Sequence, residues 1–105
     1  METREFAGKA IALDADGHMA NRAEWTEEIA AAIAADEGIA ELTPRHWLVI
    51  NFMRKAFDEK GDAPSIRRLT KESGVDTKEL YDLFPKGPAR KAAKIAGLPK
   101  PTGCI

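Results

Sequence analysis

Hydrophobic and polar positions change period several times along this chain, and each change marks an expected element. Phe6-Ala7-Gly8-Lys9-Ala10-Ile11-Ala12-Leu13 alternates weakly, and Asp14-Ala15-Asp16-Gly17-His18 follows with turn chemistry. The pattern predicts two short strands forming a β-hairpin within residues 6–19, with Gly17 supplying the positive φ of the turn. A ribbon of that size is marginal alone and must pack on something. From Asn21 to Glu37 the residues Trp25, Ile29, Ala32 and Ile33 recur at i, i+4, i+7 and i+8, one face of a helix. Gly38 stands where that helix stops.

Thr43 before Pro44 reads as an N-cap and first helical residue, opening the longest helix, to about Lys60. Its apolar stripe of Val49, Phe52, Met53, Ala56 and Phe57, widened by Trp47 and Ile50, is the expected centre of the core. Gly61-Asp62-Ala63-Pro64 breaks the helix. Ser65 caps a short one over Ile66 to Ser73, and Asp76-Thr77-Lys78-Glu79 resembles a capping box for another running to Phe84. Pro88 fits the first position of a last helix through Ala96, closed by Gly97, with Ala89, Ala92, Ala93 and Ala96 on one side and Arg90, Lys91 and Lys94 on the other. The remainder, Leu98 to Ile105, contains two prolines and cannot continue a helix; extended, it spans roughly 25 Å. The expected fold class is α+β, mainly α: an N-terminal β-hairpin packed on a bundle of about five helices, with a helix-turn-helix-like part. Residues 1–105 form a single domain, in which 1–97 are the scaffold and 98–105 a mobile C-terminal arm.

Composition narrows the function classes. With 105 residues, 44% hydrophobic and 31% charged, the chain can build one modest core. One cysteine excludes an intramolecular disulfide, and no secretory h-region or run of eighteen apolar residues is present, so a cytoplasmic protein with a reduced thiol and no membrane contact is expected. The net charge of −1 gives no global attraction to nucleic acid. Its distribution is uneven: residues 1–42 carry ten acidic and three basic side chains, whereas residues 86–105 carry Lys86, Arg90, Lys91, Lys94 and Lys100 and no acid.

The only cysteine, Cys104, is thus next to last on an arm that leaves from a basic end. A free cysteine is commonly just a small buried hydrophobe. At a chain terminus beside Gly103, however, it is open to a partner's active site. Neighbouring cations favour its thiolate, and the carboxylate of Ile105 opposes them. The basic helix face also has a plain reading as a solvated surface.

Other chemistry reads weakly. Asp14, Asp16 and Gly17 are spaced like the start of a calcium loop, but Arg22 and Ala23 follow where ligands are needed. His18 and His46 are too few for a histidine metal site, and His46 with Trp47 reads as a capped first-turn histidine beside a core tryptophan. No metal or cofactor is expected. Arg67, Arg68, Lys71 and Lys78 on the helix-turn-helix-like part offer a DNA-binding alternative. Glu72, Asp76, Glu79 and Asp82 interrupt that patch, so packing with a mixed solvated face is the reading preferred, and direct nucleic-acid binding is not expected.

The run Leu80-Tyr81-Asp82-Leu83-Phe84-Pro85-Lys86-Gly87-Pro88-Ala89, then Ala96-Gly97-Leu98-Pro99-Lys100-Pro101 and the penultimate Cys104, resembles the TusE/DsrC family of sulfur-relay proteins. Thr43-Pro44-Arg45-His46-Trp47, Asn51-Phe52-Met53-Arg54 and Ala63-Pro64-Ser65-Ile66-Arg67 match that family in order, so the resemblance spans nearly the whole chain. It implies a β-hairpin against a helical bundle and a flexible arm whose cysteine carries sulfur as a persulfide. The implied role is a carrier rather than a self-contained catalyst. Its implied partners are an upstream sulfurtransferase donor complex and an acceptor, either the tRNA 2-thiouridylase of TusE-type members or the sulfite reductase or sulfur-oxidation enzymes of DsrC-type members.

Carried over by position, the active role falls on Cys104. Gly103, Pro99 and Pro101 shape the arm, and Lys100, Arg90 and Lys94 are candidates for guiding it to acidic entrances. Two departures matter. The second cysteine of DsrC proper lies eleven residues before the first, where this chain has Ala93, which favours a one-cysteine carrier. The family's longer Gly-Asn-Ser-containing insertion before the Leu-Tyr motif is here reduced to the brief segment Glu72 to Lys78.

Overall fold

A two-residue reversal at Ala7 and Gly8 begins the architecture. In a computed structural model, which describes residues 2–101, strand β1 (Glu2–Phe6) pairs antiparallel with β2 (Lys9–Leu13), Phe6 opposite Lys9 and Glu2 opposite Leu13. Both turn residues have positive φ, 52° at Ala7 and 79° at Gly8, the backbone that matches the right-handed twist of a two-residue hairpin. The hairpin therefore turns earlier than the expected Asp14–His18 loop. Ala7 is an uncommon occupant of left-handed backbone and Glu2 to Glu5 are exposed and polar, so neither turn residue nor apolar alternation announces β1. The Asp14–His18 loop is instead a second turn. Asp14 Oδ1 accepts the amides of Asp16 and His18 at 2.9 and 3.0 Å, and the chain folds back so that Met19 bridges Leu13.

The expected helix from Asn21 to Glu37 is also corrected. Asn21 caps a 3-10 turn, Arg22–Glu24, and the chain then extends through Trp25 to Thr26, whose side chain accepts from the Ile29 amide. Helix α1 runs only from Glu27 to Asp36. Two side-chain caps within six residues favour a break over one continuous helix, and Glu27 and Glu28 in the first turn of α1 suit its dipole. Trp25 consequently stands outside any α-helix.

The remaining helices follow the sequence closely: α2 is Pro44–Lys60, α3 Ile66–Ser73, α4 Thr77–Leu83 and α5 Pro88–Ile95. Thr43, Ser65 and Asp76 cap three of them through side-chain oxygens. At α2 the cap is reciprocal. Thr43 Oγ1 accepts from the His46 amide while His46 Nδ1 accepts from the Thr43 amide at 3.0 Å, and Nε2 donates to the Leu83 carbonyl at 2.9 Å. The first turn of α2 is thereby tied to the end of α4, where Phe84 meets the His46 ring edge-on with centroids 5.2 Å apart.

Helix α2 fills the core with Val49, Ile50 and Met53, and α5 packs against all four other helices. Its inward face of Ala89, Ala92, Ala93 and Ala96 has too little volume to hold neighbours away, so backbones approach from several sides. Leu69, Val75, Leu80 and Phe84 close the core below it, and Phe6, Ile11 and Leu13 bring the ribbon onto the same cluster. Arg4 grips Asp36 with two hydrogen bonds of 2.8 and 2.9 Å, and Arg45 grips Glu79 with two of 2.7 Å. These pairs are exposed and orient the periphery more than they stabilise it. No helix among the described residues is long and apolar enough to cross a membrane.

Removing the reciprocal cap tests this assembly. Thr43→Ala is expected to cost about 1 kcal/mol and lower the melting temperature by roughly 5 °C in calorimetry; an unchanged midpoint would mean that His46 holds α2 without its cap.

Candidate functional site

A helix ends with carbonyls that have no intrahelical partner. At the C-terminal end of α5 the carbonyls of Ala93, Lys94, Ile95, Ala96 and Leu98 are all satisfied, two locally and three from distant parts of the chain. The amide of Leu98 returns to the Ala93 carbonyl at 2.9 Å and that of Gly97 to Lys94 at 3.2 Å, the crossed pair of a Schellman ending. The Ile95 carbonyl accepts from Trp25 Nε1 at 2.8 Å, the Ala96 carbonyl from Arg54 Nη1 at 2.8 Å, and the Leu98 carbonyl from His18 Nδ1 at 2.8 Å. The Arg54 guanidinium also stacks on Trp25, its Cζ 3.8 Å from the ring centroid, so the two donors brace one another.

Gly97 makes this clamp possible. Its φ is +76°, and a Cβ there would lie 2.6 Å from Trp25 Cδ1. The backbone angle and the indole both require glycine. Leu98 follows fully buried in the core cluster, Pro99 and Lys100 are exposed, and Pro101 is buried again. Burial lowers the Arg54 pKa, Arg22 nearby adds to this, and Asp58 opposes it.

His18 is fully buried. Its Nδ1 faces a carbonyl, which can only accept, so Nδ1 carries the proton and Nε2 is left as a buried acceptor with no partner among the described residues. Burial is the largest influence on its pKa and pulls it down; the Leu98 hydrogen bond and Asp14 act against this, and Lys94 and Arg90 reinforce it.

The residues singled out in the sequence are distributed around this clamp. Cys104 and Gly103 lie outside the described residues. Lys100 Nζ approaches Asp16 at 3.6 Å, and Lys94, little exposed, pairs with Glu37 at 2.9 Å. Arg90 is exposed on the same face and has no ion pair among the described residues. Of the DNA-binding candidates, Arg68 is engaged by Asp62 at 3.3 Å and Glu72 at 3.7 Å. Sequence reasoning missed Trp25, Arg54 and His18 as a unit. The available signals were a glycine closing the last helix and a lone histidine in a turn, and neither reveals which carbonyl it serves.

Comparison with known proteins extends the picture. Residues 5–105 match the family described as "DsrC like protein". "Sulfurtransferase TusE" of Salmonella typhimurium is 47% identical over 107 residues, covering 95% of this chain and 97% of that protein. The solution structure of Allochromatium vinosum DsrC is similar with a TM-score of 0.84 and 41% identity, covering 99% of this chain and 98% of that one. The crystal structure of the oxidised gamma-subunit of the dissimilatory sulfite reductase (DsrC) from Archaeoglobus fulgidus is similar to the same degree, with a TM-score of 0.84, 41% identity, and 99% and 100% coverage.

Two measurements probe the clamp. Gly97→Ala combines left-handed strain of about 1–2 kcal/mol with crowding of about 1–3 kcal/mol, and is expected to lose about 2–5 kcal/mol in denaturant unfolding. A loss below about 1 kcal/mol would mean that the indole swings aside freely. A histidine whose folded pKa is lowered contributes stability that is complete above the unfolded value, about 6.5, and is lost as the pH falls through it towards the folded one. The native chain is therefore expected to lose more melting temperature between about pH 7.5 and about pH 5.5 than His18→Gln does, whereas equal losses would remove His18 from the linkage.

Proposed function

This chain belongs to the DsrC-like family, and from that premise we propose that it is a sulfur-relay protein whose reactive group is Cys104. The Cys104 thiolate attacks the outer sulfur of a donor persulfide, the donor's sulfur–sulfur bond breaks, and the donor leaves as a thiolate, giving Cys104–S–SH. A nucleophile on the acceptor then takes that outer sulfur and Cys104 returns to thiolate. The chain contributes delivery, which needs reach and a fixed origin more than a formed pocket.

The observation that carries this reading is the clamp at Leu98. The root of the C-terminal segment is held by Trp25, Arg54 and His18, and the sole thiol follows six residues later, a span of about 20 Å when extended. Pro99 and Pro101 stiffen the intervening chain and reduce the entropy lost on entering a partner. The family match runs through residue 105 and so includes the cysteine. Residues 1–105 act as one domain, with 1–97 as scaffold and 98–105 as arm, and Gly103, Lys100, Arg90 and Lys94 as arm and partner-binding residues.

Delivery into tRNA 2-thiouridine formation is the pathway preferred, from an upstream sulfurtransferase donor complex to a tRNA thiolase. The buried Ala93, where a two-cysteine relative has its second thiol, supports single-cysteine chemistry. The likeness to solved DsrC structures keeps a second reading, partnership with sulfite reductase or a sulfur-oxidation enzyme.

Incubation with a persulfide donor followed by mass spectrometry is expected to place one extra sulfur, about 32 Da, on the C-terminal peptide. Cys104→Ala gains none and melts at the native temperature. Sulfur uptake that survives this substitution would overturn the assignment.

A further inference from the structure

A cavity of about 310 Å3 opens between the exposed face of α5 and the two acidic turns that approach it, lined by Lys86, Arg90, Lys91, Lys94, Asp16 and Glu37. The six side chains sum to a charge of +2, and the carboxylates are already engaged. Glu37 is held by Lys94 at 2.9 Å, and Asp16 faces Lys100, from outside the lining, at 3.6 Å. Lys91 Nζ donates to the Glu37 main-chain carbonyl at 3.3 Å, a contact that leaves its charge uncompensated. Lys86, Arg90 and Lys91 have no carboxylate partner among the described residues.

The geometry points to a binding site for a small dianionic oxyanion, of the thiosulfate or phosphate class, between Lys86, Arg90 and Lys91. Three cations line one concave space, where their field is stronger than on an open helix face. The guanidinium of Arg90 offers a planar pair of donors to two oxygens, and the lysines act as point charges. With both carboxylates engaged, the three uncompensated cations favour a multiply charged anion over a monoanion. The volume is at the small end for ligand pockets, and the lining is charged throughout, which excludes an apolar molecule. This site does not depend on Cys104, so it stands or falls separately from the sulfur-relay reading.

Amide spectra of the full chain, titrated with sodium thiosulfate or phosphate at about pH 8 and matched in ionic strength with sodium chloride, test the site. Saturable shifts confined to residues 86–94, Asp16 and Glu37 are expected with either dianion and absent with chloride. The stronger of the two identifies a sulfur oxyanion or a phosphoryl group as the natural class. The double substitution Lys86→Gln and Arg90→Gln is expected to weaken binding at least tenfold. Lys86→Gly, which suits the left-handed backbone at that position (φ 63°), gives an intermediate loss with the fold retained. Shifts that never saturate, or that chloride reproduces, would overturn the site. So would tighter binding of a hexaglutamate peptide to the same residues, which would assign the cavity to an acidic protein partner.

Discussion

The carbonyls at the end of α5 set the terms for the rest of the molecule. Buried carbonyls left without donors cost more than most single contacts can return, and here the local Schellman bonds satisfy only Ala93 and Lys94. Those of Ile95, Ala96 and Leu98 are met by an indole, a guanidinium and an imidazole carried on the loop before α1, on α2 and on the turn after β2. The hairpin region, the longest helix and the last helix are therefore locked together at one point, from which the C-terminal segment departs.

Close packing makes such a convergence possible. The alanines of α5 let four helices approach it, and Gly97 lets the Trp25 indole lie against the backbone where a methyl group would collide. The side chains that give α5 its identity are small on the inside and cationic on the outside, so the same eight residues fill the centre of the core and define the charged surface beside the arm.

The charge asymmetry of the chain is resolved in the fold. Acidic residues from the first forty positions come to the basic C-terminal helix: Glu37 receives Lys94 and the Lys91 ammonium approaches its carbonyl, while Asp16 meets Lys100. What reaches solvent is the remainder, Lys86, Arg90 and the uncompensated charge of Lys91. The segment from Ser65 to Phe84, which also carries cations, spends Arg68 on Asp62 and Glu72 and presents a mixed face.

Local chemistry determined much of this in advance. Thr43-Pro44, Ser65, Asp76 and Pro88 place helix starts correctly because a cap acts within three residues of itself. The motifs from Leu80 to Pro101 and the penultimate cysteine marked the family. The early turn at Ala7-Gly8 and the break at Thr26 escaped because strand pairing and competing caps decide between patterns that the sequence allows equally. The clamp was illegible for a deeper reason. His18 and Leu98 lie 80 positions apart, Trp25 and Ile95 lie 70 apart, and a hydrogen bond to a main-chain carbonyl leaves no mark on the identity of the residue that accepts it. The sequence by itself determined where helices begin and which residue carries the thiol; only tertiary packing decided what holds that residue's tether, because the acceptors are backbone groups that every amino acid shares.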